Sequence, residues 1–338
     1  GHNIYIQLLT TSVFSNMFAN MSTLSVISPR DYANGDFNAR LHPWYVTGLA
    51  DGEGSFGFSI TVKPNGALKL AFDFKVTQKR SNAGILYDLQ RFFGVGTVVI
   101  DNRSDDTMKY HVTSREALIN VILPHFAQYP LLTSKQLNFF SFKEALLVIT
   151  GAMPATGSVE EHVRLLKDSM NKGRSFDAKF NCLSVVQLEP EWVQAFVDRE
   201  GTFYPYVALK HSRNTTYQGV DLSLEVGQAS HDVAVLASLA LFFKGGAVMP
   251  KCDITSLAAV QAIRAKSIFK YRDLEGIIKF FDRYPLLTDK RLDYMSFKAI
   301  WEIKSARGQN TADGLAQILA LKANMNKART GKPSGNVE

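Results

Sequence analysis

The chain has 338 residues, of which 46% are hydrophobic and 20% charged, and it carries a formal net charge of +7. This balance is typical of a globular protein with room for two domains, and the basic excess is compatible with nucleic acid without demanding it. The two cysteines form neither a metal-ligand pattern nor a disulfide framework, and no apolar run approaches the roughly 18 residues of a membrane-spanning helix, so we expect a reducing compartment and no membrane partner.

The N-terminal segment is distinguished by its lack of charge. Its first 29 residues contain no Asp, Glu, Lys or Arg. A secretory signal would open with basic residues and a mitochondrial transit peptide would contain arginines, so the segment matches neither. We expect residues 1–42 to form a leader that either packs on the folded body or stays loose.

Four segments of the chain occur twice, in the same order. "YVTGLADGEGSF" at 45–56 resembles "WVQAFVDREGTF" at 192–203, and "YPLLTSK" at 129–135 resembles "YPLLTDK" at 284–290. Two further pairs are 85–99 with 235–249 and 167–175 with 322–330. We therefore predict two copies of one unit, at 43–172 and 190–329, joined by a linker at 173–189 and followed by a tail at 330–338.

Within each copy, the pattern of apolar residues predicts the order α-β-β-α-β-β-α-α. In the first copy an apolar helix begins at Pro43 and ends at Glu53, and alternation over 55–63 and 69–77 predicts two strands. The fold class is therefore α+β, with two pseudo-symmetric αββαββα(α) units. Each unit would form a four-stranded antiparallel sheet with helices on one face and polar side chains on the other.

Acidic residues end the first helix of each copy, where Glu53 is matched by Glu200. Two related units usually pack about a pseudo-twofold axis, so acids near that axis would form a facing pair, which is a natural metal site. The free carbonyl oxygens at the helix ends, at Gly52 and Arg199, would supply further metal ligands. Gly48 and Gly52 share one helical face, and such small residues would let two helices approach closely.

The paired motifs "VTGLADGEG" at 46–54 and "VQAFVDREG" at 193–201, with the strands that follow them and both "YPLLT-K" blocks, resemble the LAGLIDADG homing endonucleases in their monomeric, double-motif form. The resemblance implies a site-specific double-strand DNA endonuclease whose two sheets form a saddle in the major groove. It implies Mg²⁺ as cofactor, with Mn²⁺ or Ca²⁺ able to occupy the site. The length of the strands predicts a double-stranded DNA target of roughly twenty base pairs, bound by a monomer.

The resemblance also implies three pairs of catalytic residues, one member from each copy. They are metal-binding acids, lysines near the scissile phosphates, and glutamines that order water. The pairs are Glu53 and Glu200, Lys135 and Lys290, and Gln78 and Gln228. Asp51 and Asp198 would lie at the helix interface or at the helix cap, away from the metal. A lysine near a helix start or a glutamine at a strand end can also be simply exposed.

The polar sheet faces and their rims predict the DNA contacts. Lys and Arg would neutralise phosphates, and other side chains would read base edges. The predicted residues are Ser55, Ser59, Thr61, Lys63, Lys69, Lys75, Thr77, Lys79, Arg80, Lys109, His111, Arg199, Tyr204, Tyr206, Lys210, Arg213, Lys251, Arg264 and Lys266.

One position departs from the symmetry of the two motifs. Arg199 stands where the first copy has Gly52. Its side chain would have to point out of the helix contact, distort it, or reach a phosphate. We expect this cation to act on the adjacent Glu200, lowering its pKa, so that the two DNA strands are cut at different rates and a nicked intermediate accumulates.

Three other functions fit parts of the pattern. An intron maturase would keep the fold and bind RNA, a repressor would bind DNA without cutting it, and an unrelated repeat-built α+β protein would bind another ligand. The two acids favour cleavage, and a nicking assay separates the first two from an endonuclease. Because members of the family are often encoded in organellar introns, the resemblance implies a mitochondrial location and a protein that is not secreted.

Overall fold

The computed structural model describes residues 40–212, 215–263 and 266–326. The first copy opens with a helix that leads directly into a hairpin of two long strands. Its elements are α1 (Pro43–Glu53), β1 (Gly54–Val62), β2 (Leu68–Lys79), α2 (Ala83–Phe93), β3 (Thr97–Asn102), β4 (Thr107–Val112), α3 (Arg115–Ala117), a π-helical segment (Leu118–Ile122), α4 (Leu123–Gln128), α5 (Lys135–Ile149) and α6 (Val159–Asp168).

A short helix, α7 (Phe176–Asn181), follows within the segment predicted as a linker. The second copy repeats the order of the first, with one short helix, α10, inserted between its last two strands. Its elements are α8 (Pro190–Glu200), β5 (Gly201–Ser212), β6 (Thr215–Gln228), α9 (Val233–Phe243), β7 (Ala247–Met249), α10 (Leu257–Gln261), β8 (Ser267–Tyr271), α11 (Leu274–Arg283), α12 (Lys290–Ser305) and α13 (Ala312–Ala323).

Each copy forms one four-stranded antiparallel sheet, with strand orders β1-β2-β4-β3 and β5-β6-β8-β7. The predicted α+β class and sheet composition are confirmed. In the described ranges, none of the helices is long and apolar enough to cross a bilayer. The boundaries of leader, copies, linker and tail stay predictions, and residues 1–39 and 327–338 lie outside the described part.

Matching phenylalanines fill the two cores, one beneath each sheet. In the first copy the Phe56 ring contacts the rings of Phe126 and Phe142 at centroid distances of 5.3 and 5.5 Å. In the second, the Phe203 ring contacts those of Phe281 and Phe297, both at 5.3 Å. The two copies therefore bury the same apolar side of the sheet and leave the polar side uncovered.

Helices α1 and α8 pack against each other and join the two copies. A Cβ atom at Gly48 would lie 2.6 Å from the carbonyl oxygen of Trp192 and 2.9 Å from the Cβ of Ala195. No side chain fits at position 48, so the predicted close approach is confirmed. This packing brings the C-terminal ends of both helices, and the acids on them, to one place.

Candidate active site

Glu53 and Glu200 are the last residues of the two paired helices. The guanidinium of Arg199 forms a close ion pair with Glu53, and its Nε lies 3.7 Å from Glu200 Oε1. One cation therefore contacts both carboxylates. The structure thus brings together the two acids that the sequence placed at matching positions.

Arg199 crosses the interface instead of staying with its sequence neighbour. A Cβ atom at Gly52 would lie 2.7 Å from Cγ of Arg199, so the missing side chain at position 52 makes room for the arginine. The expectation that Arg199 acts mainly on Glu200 was wrong, because its closer contact is with Glu53.

Glu53 is the more enclosed of the two acids. Its side chain is 11% exposed, against 24% for Glu200, and Gln78 Nε2 donates a short hydrogen bond to Glu53 Oε2. Burial raises the pKa of Glu53 to about 7, while the positive charge of Arg199 opposes that shift and the negative charge of Glu200 adds to it.

Two cavities flank the acids, and each combines residues of both copies. A cavity of about 380 Å³ is lined by Glu200 and Gln228 of the second copy and by Lys135 of the first. A cavity of about 790 Å³ is lined by Glu53 and Gln78 of the first copy and by Lys290 of the second. The six residues predicted as catalytic are therefore divided between two composite cavities.

The two lysines rest on the backbone beside the acids. Lys135 Nζ donates to the carbonyl oxygen of Ala50 at 2.9 Å. Lys290 Nζ donates to the carbonyl oxygen of Arg199 at 3.4 Å and, more closely, to that of Gly201. Burial lowers the pKa of both amines, and nearby carboxylates oppose that shift.

Asp51 anchors the "YPLLT" block of its own copy. Its carboxylate accepts hydrogen bonds from the backbone N–H groups of Leu132 and Thr133, at 2.9 and 3.0 Å, and from Thr133 Oγ1 at 2.6 Å. Trp192 Nε1, from the other copy, donates to it at 2.8 Å. Burial raises the pKa of Asp51, and these donors oppose the shift. The helix-interface position predicted for Asp51 agrees with this geometry.

Asp198 repeats the arrangement in the second copy. It accepts from the N–H groups of Leu287 and Thr288, at 2.7 and 3.3 Å, and from Thr288 Oγ1 at 2.5 Å. Tyr45 of the first copy stands at the position that matches Trp192 of the second copy. Its hydroxyl donates to the Asp198 carboxylate at 2.8 Å. That Tyr45 and Trp192 each donate to the aspartate of the opposite copy could not be predicted, because the two residues of each pair are far apart in the chain.

The predicted DNA-binding residues of the first copy lie largely on one face of its sheet. Cross-strand register aligns Ser55, Lys75 and His111, then Thr77 and Lys109, then Thr61 and Lys69. Ser59 and Lys63 are exposed on the same hairpin. At the end of β2, Lys79 Nζ donates to the carbonyl oxygen of Asp105, and Arg80 pairs with Asp106 at 2.8 Å.

The second sheet exposes Tyr204 and Tyr206, opposite Ser223 and Asp221. Lys210 pairs with Asp221 at 2.7 Å, and Lys251 and Lys266 are exposed. Arg213 and Arg264 lie outside the described residues.

Three further cations at these surfaces were not predicted from the sequence. Lys270, on the short strand β8, lies opposite Glu225 of β6. The alternation of apolar and polar residues along β8 could have identified this lysine. Lys172, at the end of the first copy, and Lys179, in the predicted linker, line the cavity that contains Glu200. Neither amine has a hydrogen-bond or ion-pair partner among the described residues. Neither segment gives a periodic signal that would place such side chains at the site.

Both copies resemble known proteins. The sequence profile described as "LAGLIDADG endonuclease" matches residues 46–146 and 195–301. The "Probable intron-encoded endonuclease 3" of Neurospora crassa is 28% identical over 83% of this chain and 54% of its own length. The chain spans about half the length of that curated relative.

Solved structures resemble the fold as well as the sequence. I-SmaMI, bound to an uncleaved DNA target in the presence of calcium ions, is 27% identical with a TM-score of 0.69, over 85% of this chain and 99% of that one. The LAGLIDADG homing endonuclease I-LtrWI, bound to target DNA, is 25% identical with a TM-score of 0.70, over 85% and 98%. Since the family profile covers both copies, the chain belongs to the LAGLIDADG endonuclease family.

Proposed function

We propose that this chain is a site-specific endonuclease that cuts both strands of double-stranded DNA and uses a divalent metal. The observation that carries the proposal is the meeting of two carboxylates at the ends of the paired helices, with a lysine and a glutamine in the cavity beside each. The names of the relatives support it, because they describe intron-encoded endonucleases and DNA-bound homing endonucleases.

Glu53 and Glu200 fit a divalent metal because one cation, the Arg199 guanidinium, already contacts both carboxylates. In the described ranges, no group of three or more His, Cys, Asp and Glu residues could hold a metal. The chain would therefore donate two carboxylates, with water and phosphate oxygens completing the set, as is usual for Mg²⁺. The backbone oxygens of Gly52 and Arg199 stay predicted as further ligands.

When bound, Mg²⁺ would activate water and stabilise the leaving oxygen, and Mn²⁺ or Ca²⁺ could occupy the same site. Lys135 and Lys290 would neutralise charge that develops on the scissile phosphates. Gln78, which already donates to Glu53, would orient that carboxylate and, like Gln228, order water beside it.

The two polar sheet faces would hold the DNA. The residues predicted from the sequence, together with Lys270, Lys172 and Lys179, would neutralise phosphates and read base edges in the major groove. Two sheets side by side fit a target of roughly twenty base pairs. One chain holds both copies and so would act as a monomer. A mitochondrial location stays a prediction, supported by the intron-encoded relatives.

The test uses a supercoiled plasmid that carries the exon junction formed when the coding intron is removed. We expect linear plasmid in Mg²⁺ and none in EDTA. The control is the double variant Glu53→Gln with Glu200→Gln, which should bind the same plasmid without cutting it. Binding without cleavage by the wild-type protein would indicate a repressor, and activity on RNA alone would indicate a maturase.

A further inference from the structure

The helices that carry the two lysines begin with a hydrogen bond to the opposite copy. The backbone N–H of Ser134, just before Lys135, donates to Oδ1 of Asp232 at 3.0 Å. The backbone N–H of Asp289, just before Lys290, donates to Oδ1 of Asn82 at 2.9 Å. Asp232 belongs to the second copy and Asn82 to the first, so the two bonds are reciprocal.

The other N–H groups at these helix starts are satisfied within their own loops. Lys135 N donates to Thr133 Oγ1 at 3.3 Å and Gln136 N to the Thr133 carbonyl oxygen at 3.1 Å. The second copy repeats both bonds from Lys290 and Arg291 to Thr288. In neither helix does the side chain of the N-cap residue accept a hydrogen bond from an N–H group of the first turn. A helix start needs such partners, and here one of them comes from across the interface.

The two anchoring residues also occupy matching places in the fold. Each follows the long central strand of its copy, four residues after the glutamine at or next to the end of that strand: Asn82 after Gln78, and Asp232 after Gln228. Asp232 lines the cavity that contains Lys135 and Glu200. Asn82 lines the cavity that contains Lys290 and Glu53. Each anchoring residue thus connects the strand end that carries the glutamine of one copy with the loop that carries the lysine of the other.

We propose that Asp232 and Asn82 are positioning residues, which hold the lysine-bearing loop of the opposite copy in the active site. The proposal rests on the proposed endonuclease function, and it makes each active site depend on both halves of the chain. A hydrogen bond from an N–H group to a carboxylate is stronger than one to an amide oxygen. The Lys135 loop, bonded to Asp232, is therefore held more firmly than the Lys290 loop, bonded to Asn82. Asp232 is also buried, and the His231 ring lies 3.3 Å from its carboxylate.

The test measures cleavage of each DNA strand separately, with one labelled end at a time on the exon-junction duplex. Asp232→Ala should slow one strand about ten-fold and Asn82→Ala should slow the other, because a misplaced lysine loses the transition-state geometry. Asp232→Asn should restore most of the rate, since an amide oxygen serves the matching loop. Asp313→Ala, at an exposed aspartate, is the control and should leave both strands unchanged.

Hydrogen exchange of the protein without DNA provides a readout that does not depend on cleavage. In Asp232→Ala, amide exchange should rise at 132–137 and stay unchanged at 287–292, and Asn82→Ala should give the reverse. The proposal is overturned if both variants slow the two strands equally, if Asp232→Asn is as slow as Asp232→Ala, or if exchange does not change. Failure of the endonuclease function itself would show differently, as a wild-type protein that cuts nothing.

Discussion

The two acids come from duplicated motifs, yet their surroundings differ. Glu53 is enclosed, paired with Arg199 and bonded by Gln78. Glu200 is more exposed, lies farther from Arg199, and faces a cavity lined by Lys172 and Lys179, whose amines have no partner within the described part of the chain. One carboxylate is already engaged by protein groups, whereas the other is open to a ligand.

The difference arises in two places. Within the motif, the loss of a side chain at Gly52 admits Arg199 from the opposite helix. Outside it, Lys179 lines the Glu200 cavity beside Lys172, and the linker that carries Lys179 occurs only once in the chain. Duplication therefore preserved the fold and the acids, while single positions and the connection between copies made the two sites unequal.

The largest expected effect tests whether the two acids are equally needed. Glu53→Gln or Glu200→Gln should lower double-strand cleavage by about a thousand-fold or more, because each removes the charge of one member of a catalytic unit but keeps its shape. Affinity for DNA in Ca²⁺ should stay within about three-fold. Glu116→Gln, at an exposed acid, is the matched control. Full cleavage by either variant would remove that acid from the site.

Arg199→Ala tests whether the arginine makes the sites unequal. If Glu53 binds the metal as proposed, the guanidinium would compete with it, so removal of the arginine should speed the slower strand up to about ten-fold at alkaline pH and reduce the nicked intermediate. The positive charge of Arg199 also lowers the pKa of Glu53. In Arg199→Ala the Glu53 carboxyl therefore takes up a proton more readily near pH 7, and the gain in cleavage rate should be smaller there.

Strand-resolved time courses on supercoiled plasmid, at pH 7 and above pH 8, measure the effect of Arg199→Ala. Arg164→Ala removes an exposed arginine that pairs with Glu160 on α6 and serves as control. Unchanged strand rates and an unchanged metal requirement in Arg199→Ala would leave the asymmetry without this cause.

Lys172→Ala and Lys179→Ala test the contribution of the two lysines that line the Glu200 cavity at the junction of the first copy and the linker. Each should weaken DNA binding several-fold and lower the slope of log affinity against log salt by about one, as expected for one lost phosphate contact. Fluorescence titrations in Ca²⁺ at several salt concentrations give both quantities. Lys279→Ala, at an exposed lysine on α11, should change neither. Equal slopes for all three variants would place Lys172 and Lys179 outside the DNA interface.

The smallest effect concerns the stability of the first copy, where buried His125 occupies the position of Phe280. Burial lowers the pKa of His125 to about 3, below its ordinary 6.5. Below pH 6.5 the unfolded chain therefore binds a proton that the folded chain does not, so the free energy of unfolding falls as pH drops, by up to about 1.4 kcal/mol per pH unit.

His125→Phe should remove this acid sensitivity. Thr47 Oγ1, which lies 3.2 Å from His125 Nε2, keeps its hydrogen bond to the Tyr129 carbonyl oxygen at 2.8 Å. Thermal unfolding at pH 7.5 and 5.5 measures the effect, and the melting temperature of the variant should fall less between the two values. An equal fall in both proteins would mean that other groups dominate.

Much of the fold could be predicted because local patterns dictate it. Alternation of apolar and polar residues located the first two strands, and the repeat showed that the second copy follows the same order. Gly48 predicted the close helix approach because only a missing side chain permits it. The linker helix α7 was not predicted.

The arrangement of the site could be predicted only in part. The acids follow from the motif, but the course of Arg199 depends on the space at Gly52 of another helix. The roles of Asp232 and Asn82 depend on hydrogen bonds between the copies, 98 and 207 residues apart in the chain. Such contacts leave no periodic trace in a single sequence.

The fit of Gly48 against Trp192 also dictates which halves can pair. At the matching position the second copy has Ala195, and two second copies would place that methyl group where a Cβ at Gly48 would be, 2.6 Å from a carbonyl oxygen. Such a pair cannot form without moving the helices apart. A pair of two first copies, with glycine at this position on both sides, meets no such contact. The helix interface therefore accepts at most one alanine at this position, and it distinguishes the two copies by a single methyl group.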